Sequence, residues 1–171
     1  MAGIDIRPAV EDDAGFMFDM MRGLAVHVDE LDHFSATIED VRRDGFGPGR
    51  HYESLIATVD GAPAGLSTYY FTYSTYTGRP CLFVLDLIVG AKARGLSLGK
   101  ALMGRMSTIA LENGCCRIDL QVHNTNDALG FYEAIGMTGS IQIPYSLDGE
   151  ALKLLAAQET LSDAAASTEK S

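Results

Sequence analysis

Hydrophobic positions along this chain change their period several times, and each change marks an element. Ile4 to Pro8 alternates as a short strand, and residues 11–28 then carry Phe16, Met17, Met20, Met21 and Leu24 at helical spacing. Thr37 to Arg43 predicts a second, shorter helix, stopped by Asp44-Gly45-Phe46-Gly47-Pro48-Gly49. Period two returns in Tyr52 to Val59 and in Ala64 to Tyr73, with the hairpin signal Asp60-Gly61 between them, and again in Leu82 to Val89. A helix over 98–113 follows, apolar at Leu102, Met103, Met106, Ile109 and Ala110 and ended by Gly114. Cys116 to Val122 predicts a strand, 127–135 a helix closed by Gly136, Ser140 to Leu147 a strand, and Asp148 to about Ala157 a last helix. Residues 158–171 are small, polar and acidic, the composition of a disordered tail.

This order joins an antiparallel meander to later strand–helix–strand crossovers. It predicts an α/β (α+β) class with a central mixed, mostly antiparallel sheet flanked by helices. With no internal repeat and no long interior linker, residues 1–157 are expected to form a single domain.

Composition narrows the classes. A chain of 171 residues, 47% of them apolar, is large enough for one sizeable core. A formal net charge of −10 argues against nucleic acid or an anionic membrane surface as partner, and it favours a cationic or amine-bearing one. No stretch approaches the roughly 20 apolar residues of a membrane span. The opening MAGIDIRPAVEDD has neither the basic nor the apolar region of an export signal, so a cytoplasmic protein is expected. Cys81, Cys115 and Cys116 are too few and too badly spaced for a disulfide framework or a zinc site. They read as reduced structural thiols with nothing nearby in sequence to lower their pKa, and no metal is expected.

The chemistry concentrates in Val84 to Lys100, VLDLIVGAKARGLSLGK. A strand runs into a Gly-interrupted basic loop that opens a helix at once. Loop N–H groups and the helix's positive end then converge on one place, beside the charges of Arg94 and Lys100. The reading is an anion site of the kind a phosphate takes.

Further residues carry a family resemblance. Ile6-Arg7-Pro8-Ala9, Asp44-Gly45-Phe46-Gly47, Tyr69-Tyr70-Phe71-Thr72-Tyr73-Ser74-Thr75, Phe131-Tyr132-Glu133-Ala134-Ile135-Gly136 and Asp148-Gly149-Glu150-Ala151-Leu152 occur in an order that, with Arg-Gly-x-x-x-Gly at 94–99, resembles the GNAT superfamily of N-acetyltransferases. Within it the chain is most similar to the diamine and thialysine (spermidine/spermine-type) group, from about residue 4 to 157. The resemblance implies a GNAT-like fold whose fourth and fifth strands splay apart. It also implies acetyl-CoA as co-substrate, direct transfer without a covalent enzyme intermediate, and a homodimer.

Site residues follow from the same likeness. The pyrophosphate is expected on Arg94, Gly95, Leu96, Ser97, Leu98, Gly99 and Lys100. The pantetheine arm is expected on the backbone of Leu87, Ile88 and Val89, as an added strand would be, and on Asn124, with Asn126 as the alternative. Tyr132 stands at the position of the acid that serves the leaving thiolate. His27, Leu85 and Asp86 stand where relatives contact the amine, and His27 or His33 is a candidate base.

The chain departs from the pattern at several points. Ser97 replaces a glycine, which strains the loop if φ is positive there and offers an N-cap hydroxyl otherwise. Polyamine-acetylating relatives carry Glu-Asp where this chain has Leu85-Asp86, and successive strand residues face opposite ways, so Asp86 replaces that glutamate only across a bulge. The chain has no tryptophan. The expected activity is acetylation of a primary amine on a small molecule: a diamine, a polyamine or a basic amino acid analogue. The tyrosine-rich strand Tyr69 to Tyr76 suits a closed pocket for it. The alternatives are a protein, amino acid or amine-antibiotic acceptor, and a non-catalytic CoA-binding module.

Overall fold

The computed structural model describes residues 3–123 and 126–157. In it the chain forms β1 (Ile4–Pro8), α1 (Ala14–His27), α2 (Ile38–Phe46), β2 (Glu53–Val59), β3 (Ala62–Ser74), β4 (Arg79–Val89), α3 (Leu98–Glu112), β5 (Ile118–Leu120) and α4 (Leu129–Ala134). Single 3₁₀ turns at Glu11–Asp13, Leu31–His33 and Ala91–Ala93 went unanticipated. The chain divides into two units, one through Ile135 and one from Gly136 on.

In the first unit the strands lie in sequence order, β1-β2-β3-β4-β5, antiparallel except for the parallel pair β4 and β5. The β2–β3 turn has φ of +50° at Asp60 and +82° at Gly61, as a two-residue type I′ turn requires. Asp60 also ties down β1, accepting from the Gly3 N–H at 2.7 Å and donating its own N–H to the Gly3 carbonyl at 2.8 Å.

The pleat sends alternate residues to two helical layers. Ile56 and Leu66 meet Ala14, Met17 and Val41 from α1 and α2, while the Ser67 Oγ lies 3.0 Å from the Met106 Sδ of α3. Met17, Ile56, Leu66, Leu102 and Met106 are all fully buried, each stabilising the fold by roughly 1.5–3 kcal/mol through burial. Thr37 starts α2 with a capping box: its hydroxyl accepts the Asp40 N–H at 3.2 Å, and Asp40 accepts the Thr37 N–H at 2.8 Å.

Two expectations need correction. The strand predicted over Cys116 to Val122 shrinks to Ile118–Leu120. No ladder forms over Ser140 to Leu147 among the described residues. Alternation there selects a face, but a strand needs an edge to pair with, and alternation alone does not provide one. Residues 149–157 of the second unit are helical, close to the expected last helix.

Candidate active site

The site is organised by one irregularity in β4. Thr68 pairs with Asp86 but Tyr69 pairs with Val84, so Leu85 is an extra residue, a β-bulge. Neighbours on β3 face opposite layers, so the bulge puts Asp86 on the α1 face while Val84 keeps to the α3 face. It re-aims the backbone as well. Before it, the Leu82 N–H bonds the Arg117 carbonyl on the β5 side. After it, the Gly90 N–H bonds the Ala64 carbonyl on β3, so alternation turns Leu87 and Val89, rather than Ile88, toward the other edge. Pairing with β5 ends at Val84–Leu120, so among the described residues that edge is open from Leu85 to Val89. This is the splayed gap expected between the fourth and fifth strands.

At the end of β4 the chain turns through Ala91–Ala93 and Arg94–Ser97 into α3. Buried Ala93 and Leu98 pin the loop at both ends. Gly95 has φ of +82° and Ser97 +61°, a left-handed pair that aims successive N–H groups to one side. The first helical bond runs from the Ala101 N–H to the Ser97 carbonyl at 3.0 Å, leaving the N–H groups of Leu98, Gly99 and Lys100 without a helical acceptor. Of the two outcomes open for Ser97, φ is positive: its hydroxyl makes no cap bond, and the left-handed conformation costs roughly 1–3 kcal/mol of strain. Arg94, Leu96 and Lys100 are exposed, and Arg94 and Lys100 form no ion pair among the described residues. Donors, helix terminus and two uncommitted cations fit a pyrophosphate.

Helix α4 docks beside this loop. The Phe131 ring packs on Gly99 near Val89, and Tyr132 follows it, the two rings 5.2 Å apart. Tyr132 is half-buried, and burial pushes its phenol above the usual tyrosine range, so it is a neutral O–H donor near pH 7. Asn124 lies outside the described residues. The Asn126 side-chain oxygen is committed locally, accepting the Ala128 N–H at 2.8 Å ahead of α4.

On the α1 face, Asp86 reaches a cavity of about 260 Å³ lined by Met21, Leu24, Ala25, Val28, Glu30 and Phe34. Thr68, fully buried, donates its hydroxyl to Asp86 Oδ2 at 2.5 Å. Burial pushes the Asp86 carboxyl above the ordinary carboxylate range, and the Thr68 bond opposes that in part. A carboxylate among apolar walls can hold an ammonium or take a proton from one.

Three expected contacts do not reach this cavity. His27 ends α1 exposed and outside the lining, as does Leu85 on the bulge. The tyrosines from Tyr69 to Tyr76 go elsewhere: Tyr69 donates to Glu53 at 3.0 Å, Tyr70 packs on Phe83, and Tyr73 and Tyr76 are exposed. Glu30 comes from the acidic loop after α1 (Asp29, Glu30, Asp32), whose charge suits a cation, whereas Phe34 and Thr68 carry no signal in the sequence. The cysteines also differ from expectation. Hydrogen bonds from Thr77 at 3.4 Å and Cys81 at 3.5 Å lower the Cys116 pKa, while burial raises those of Cys81 and Cys115.

Comparison with known proteins shows the family and the fold. Residues 22–137 match the model of the acetyltransferase (GNAT) family. The chain is 31% identical over 169 residues to a thialysine N-epsilon-acetyltransferase of Bos taurus, covering 91% of this chain and 99% of that one. The corresponding Mus musculus protein is 32% identical over 170 residues, with the same coverage. Among solved structures, an integron cassette protein from the mobile metagenome of V. cholerae superposes with a TM-score of 0.73 at 23% identity, over 90% of this chain and 97% of that one.

Proposed function

The chain belongs to the acetyltransferase (GNAT) family, and from that premise we propose that it moves an acetyl group from acetyl-CoA directly to a primary amine of a small molecule whose cationic end enters the Asp86 cavity. It is an N-acetyltransferase. The observation that carries the finer reading is a single bulge that gives β4 an open edge and turns a carboxylate into an apolar cavity. A volume of about 260 Å³ suits an alkylammonium. Diamines and basic amino acid analogues such as thialysine, the substrate named for the relatives, have that shape.

Acetyl-CoA, when bound, supplies the thioester whose carbonyl carbon accepts the amine and whose sulfur leaves. The Arg94 to Lys100 loop holds its pyrophosphate, and the Leu87 and Val89 backbone groups hydrogen-bond its pantetheine arm. Asp86 holds the incoming ammonium and takes up the proton that frees the nitrogen lone pair. Its raised pKa makes it a stronger base than an ordinary carboxylate. Tyr132 donates its proton to the leaving thiolate and is reprotonated, through water, by the second proton that the nitrogen sheds as the amide forms, while Asp86 returns the first to solvent. Met21, Leu24 and Phe34 exclude water from the amine's stem.

The 1–157 segment works as one acetyltransferase domain, in a cytoplasmic homodimer without nucleic-acid or membrane partners. Exposed Ile141, Ile143 and Tyr145, alternating as a strand without a ladder, support pairing with a second copy.

The test is thiol release from acetyl-CoA with putrescine, spermidine, thialysine, lysine and an aminoglycoside, blanked for the protein's three cysteines. Turnover is expected with at least one of the first four, and Asp86→Asn should abolish it. The acid limb of kcat/KM should lie above the ordinary carboxylate range, because activity needs Asp86 ionised and its pKa is raised. Undiminished turnover in Asp86→Asn would overturn the role given to that carboxylate.

A further inference from the structure

Thr68 has no part in the steps above, yet it stands opposite Asp86 across the β3–β4 ladder. Its side chain is fully buried and its hydroxyl spends its proton on Asp86 Oδ2. The next residue back, Ser67, is also fully buried and donates at 3.0 Å to the main-chain carbonyl of the same aspartate. Two successive β3 hydroxyls therefore grip one residue of β4 beside the bulge, one by its carboxylate and one by its backbone. Oδ1 of Asp86 accepts no hydrogen bond among the described residues.

We propose that Thr68 is the positioning residue of the amine site, its hydroxyl fixing the Asp86 carboxylate in one orientation so that Oδ1 faces the substrate ammonium. The inference rests on the amine-site reading of Asp86. A carboxylate in an apolar cavity has two ways to relax: it can rotate toward the cavity mouth or take up a proton. A donor buried on the strand opposite opposes both, because it bonds one oxygen and favours the charged form.

The neighbours of Asp86 leave this task to Thr68. Helix α1 offers Met21, Leu24 and Ala25, none of which donates, and the loop beyond offers Val28, Phe34 and the carboxylate of Glu30. Strand β2 is preceded by Tyr52, whose phenol burial and the charges of Asp44, Asp86 and Asp40 keep protonated. Of Asp86, Ser67 reaches only the backbone carbonyl and not the carboxylate. A side chain present purely for packing would be served as well by valine, which matches threonine in shape and lacks the hydroxyl.

The titration midpoint of Asp86 tests the idea without any substrate. It is read from the carboxyl ¹³C shift of aspartate-labelled full-length protein, with the resonance assigned by its loss in Asp86→Asn. Thr68→Val should raise the midpoint by about one pH unit, the size of one hydrogen bond to a carboxylate, and Thr68→Ser should restore it. In turnover, Thr68→Val should shift the acid limb of kcat/KM by the same amount and raise KM for the amine several-fold, with KM for acetyl-CoA unchanged. Thr68→Ala serves in its place if the valine variant does not fold.

A midpoint in Thr68→Val or Thr68→Ala equal to that of the wild type would overturn the proposal. A shifted midpoint with full activity in Asp86→Asn would instead sink the amine-site reading on which it rests. Activity lost in Asp86→Asn but an unmoved midpoint in the Thr68 variants would leave that reading intact and remove Thr68 from it.

Discussion

The Phe131 ring lies 3.4 Å from the point where a Cβ on Gly99 would stand, so the first turn of α3 is the seat on which α4 rests. This contact connects the anion loop to Tyr132, the residue after Phe131. A methyl fits there at ordinary van der Waals distance, so Gly99→Ala should keep its activity. Gly99→Val should displace the ring, and turnover should drop on the order of 10²-fold, as small misplacements of catalytic groups do. Steady-state kinetics on the pair checks this; equal rates in both would mean that α4 does not depend on the contact.

Tyr132→Phe removes a neutral donor without changing the packing of its ring. Turnover should fall on the order of 10²-fold or more, the usual contribution of a positioned acid. Acetyl-CoA affinity by calorimetry should stay within a factor of about two, since each 1.4 kcal/mol is tenfold and the ring is retained. An unchanged rate would remove Tyr132 from the chemistry.

Ser97 holds φ of +61° with no cap bond in return. Ser97→Gly relieves that conformation, offset in part by the greater freedom of glycine in the unfolded chain. The net gain should be about 0.5–1 kcal/mol, or about 1–4 °C in melting temperature. Thermal unfolding reads it directly, and a lower melting temperature would show that the serine is not strained.

Arg7 donates to both Asp13 carboxylate oxygens, at 2.7 and 2.8 Å, and Val10 adds its N–H at 2.8 Å. The Arg7 bond, backed by that of Val10, holds the Asp13 pKa below its ordinary value. A depressed carboxylate contributes stability that is fully present above the unfolded pKa, near 4, and is lost as pH falls through the folded value. Asp13→Ala should cost about 1–3 kcal/mol at pH 7, toward the low end because Arg7 reaches solvent. Denaturant titrations of the two proteins should converge below about pH 4; a constant difference down to pH 2 would deny the ion pair its role.

Cys116 should be alkylated first of the three cysteines, since it is partly exposed and its pKa is lowered while those of Cys81 and Cys115 are raised. Mass spectrometry after brief iodoacetamide treatment identifies the site. Thr77→Val should slow the labelling, because it removes the first cause of that shift.

Much of the fold is legible in the residues themselves. The Asp60-Gly61 turn, the Thr37 cap and the 98–112 helix are stated by chemistry within a few positions of each element. The loop from Arg94 to Lys100 is legible for the same reason, since its glycine, its charges and its helix start are consecutive. Ser97 was recognisable as a departure, but its outcome turned on a φ value that no neighbour in sequence announces. The resemblance alone sets His27 at the amine, and the turn of α1 leaves it exposed.

By itself the sequence determined most of the elements of the first unit, their order and the Gly-interrupted basic loop, because periodicity, turn residues and caps act through bonds between near neighbours. Only the tertiary structure decided which side of β4 the Asp86 carboxylate takes. That depends on the bulge at Leu85, an offset in pairing between β3 and β4 that has no local signature. The same offset turns Leu87 and Val89 to the open edge and sets Thr68 opposite Asp86. A slip of one residue between strands reverses every facing beyond it, so the cavity proposed for the amine became visible only once the strands were paired.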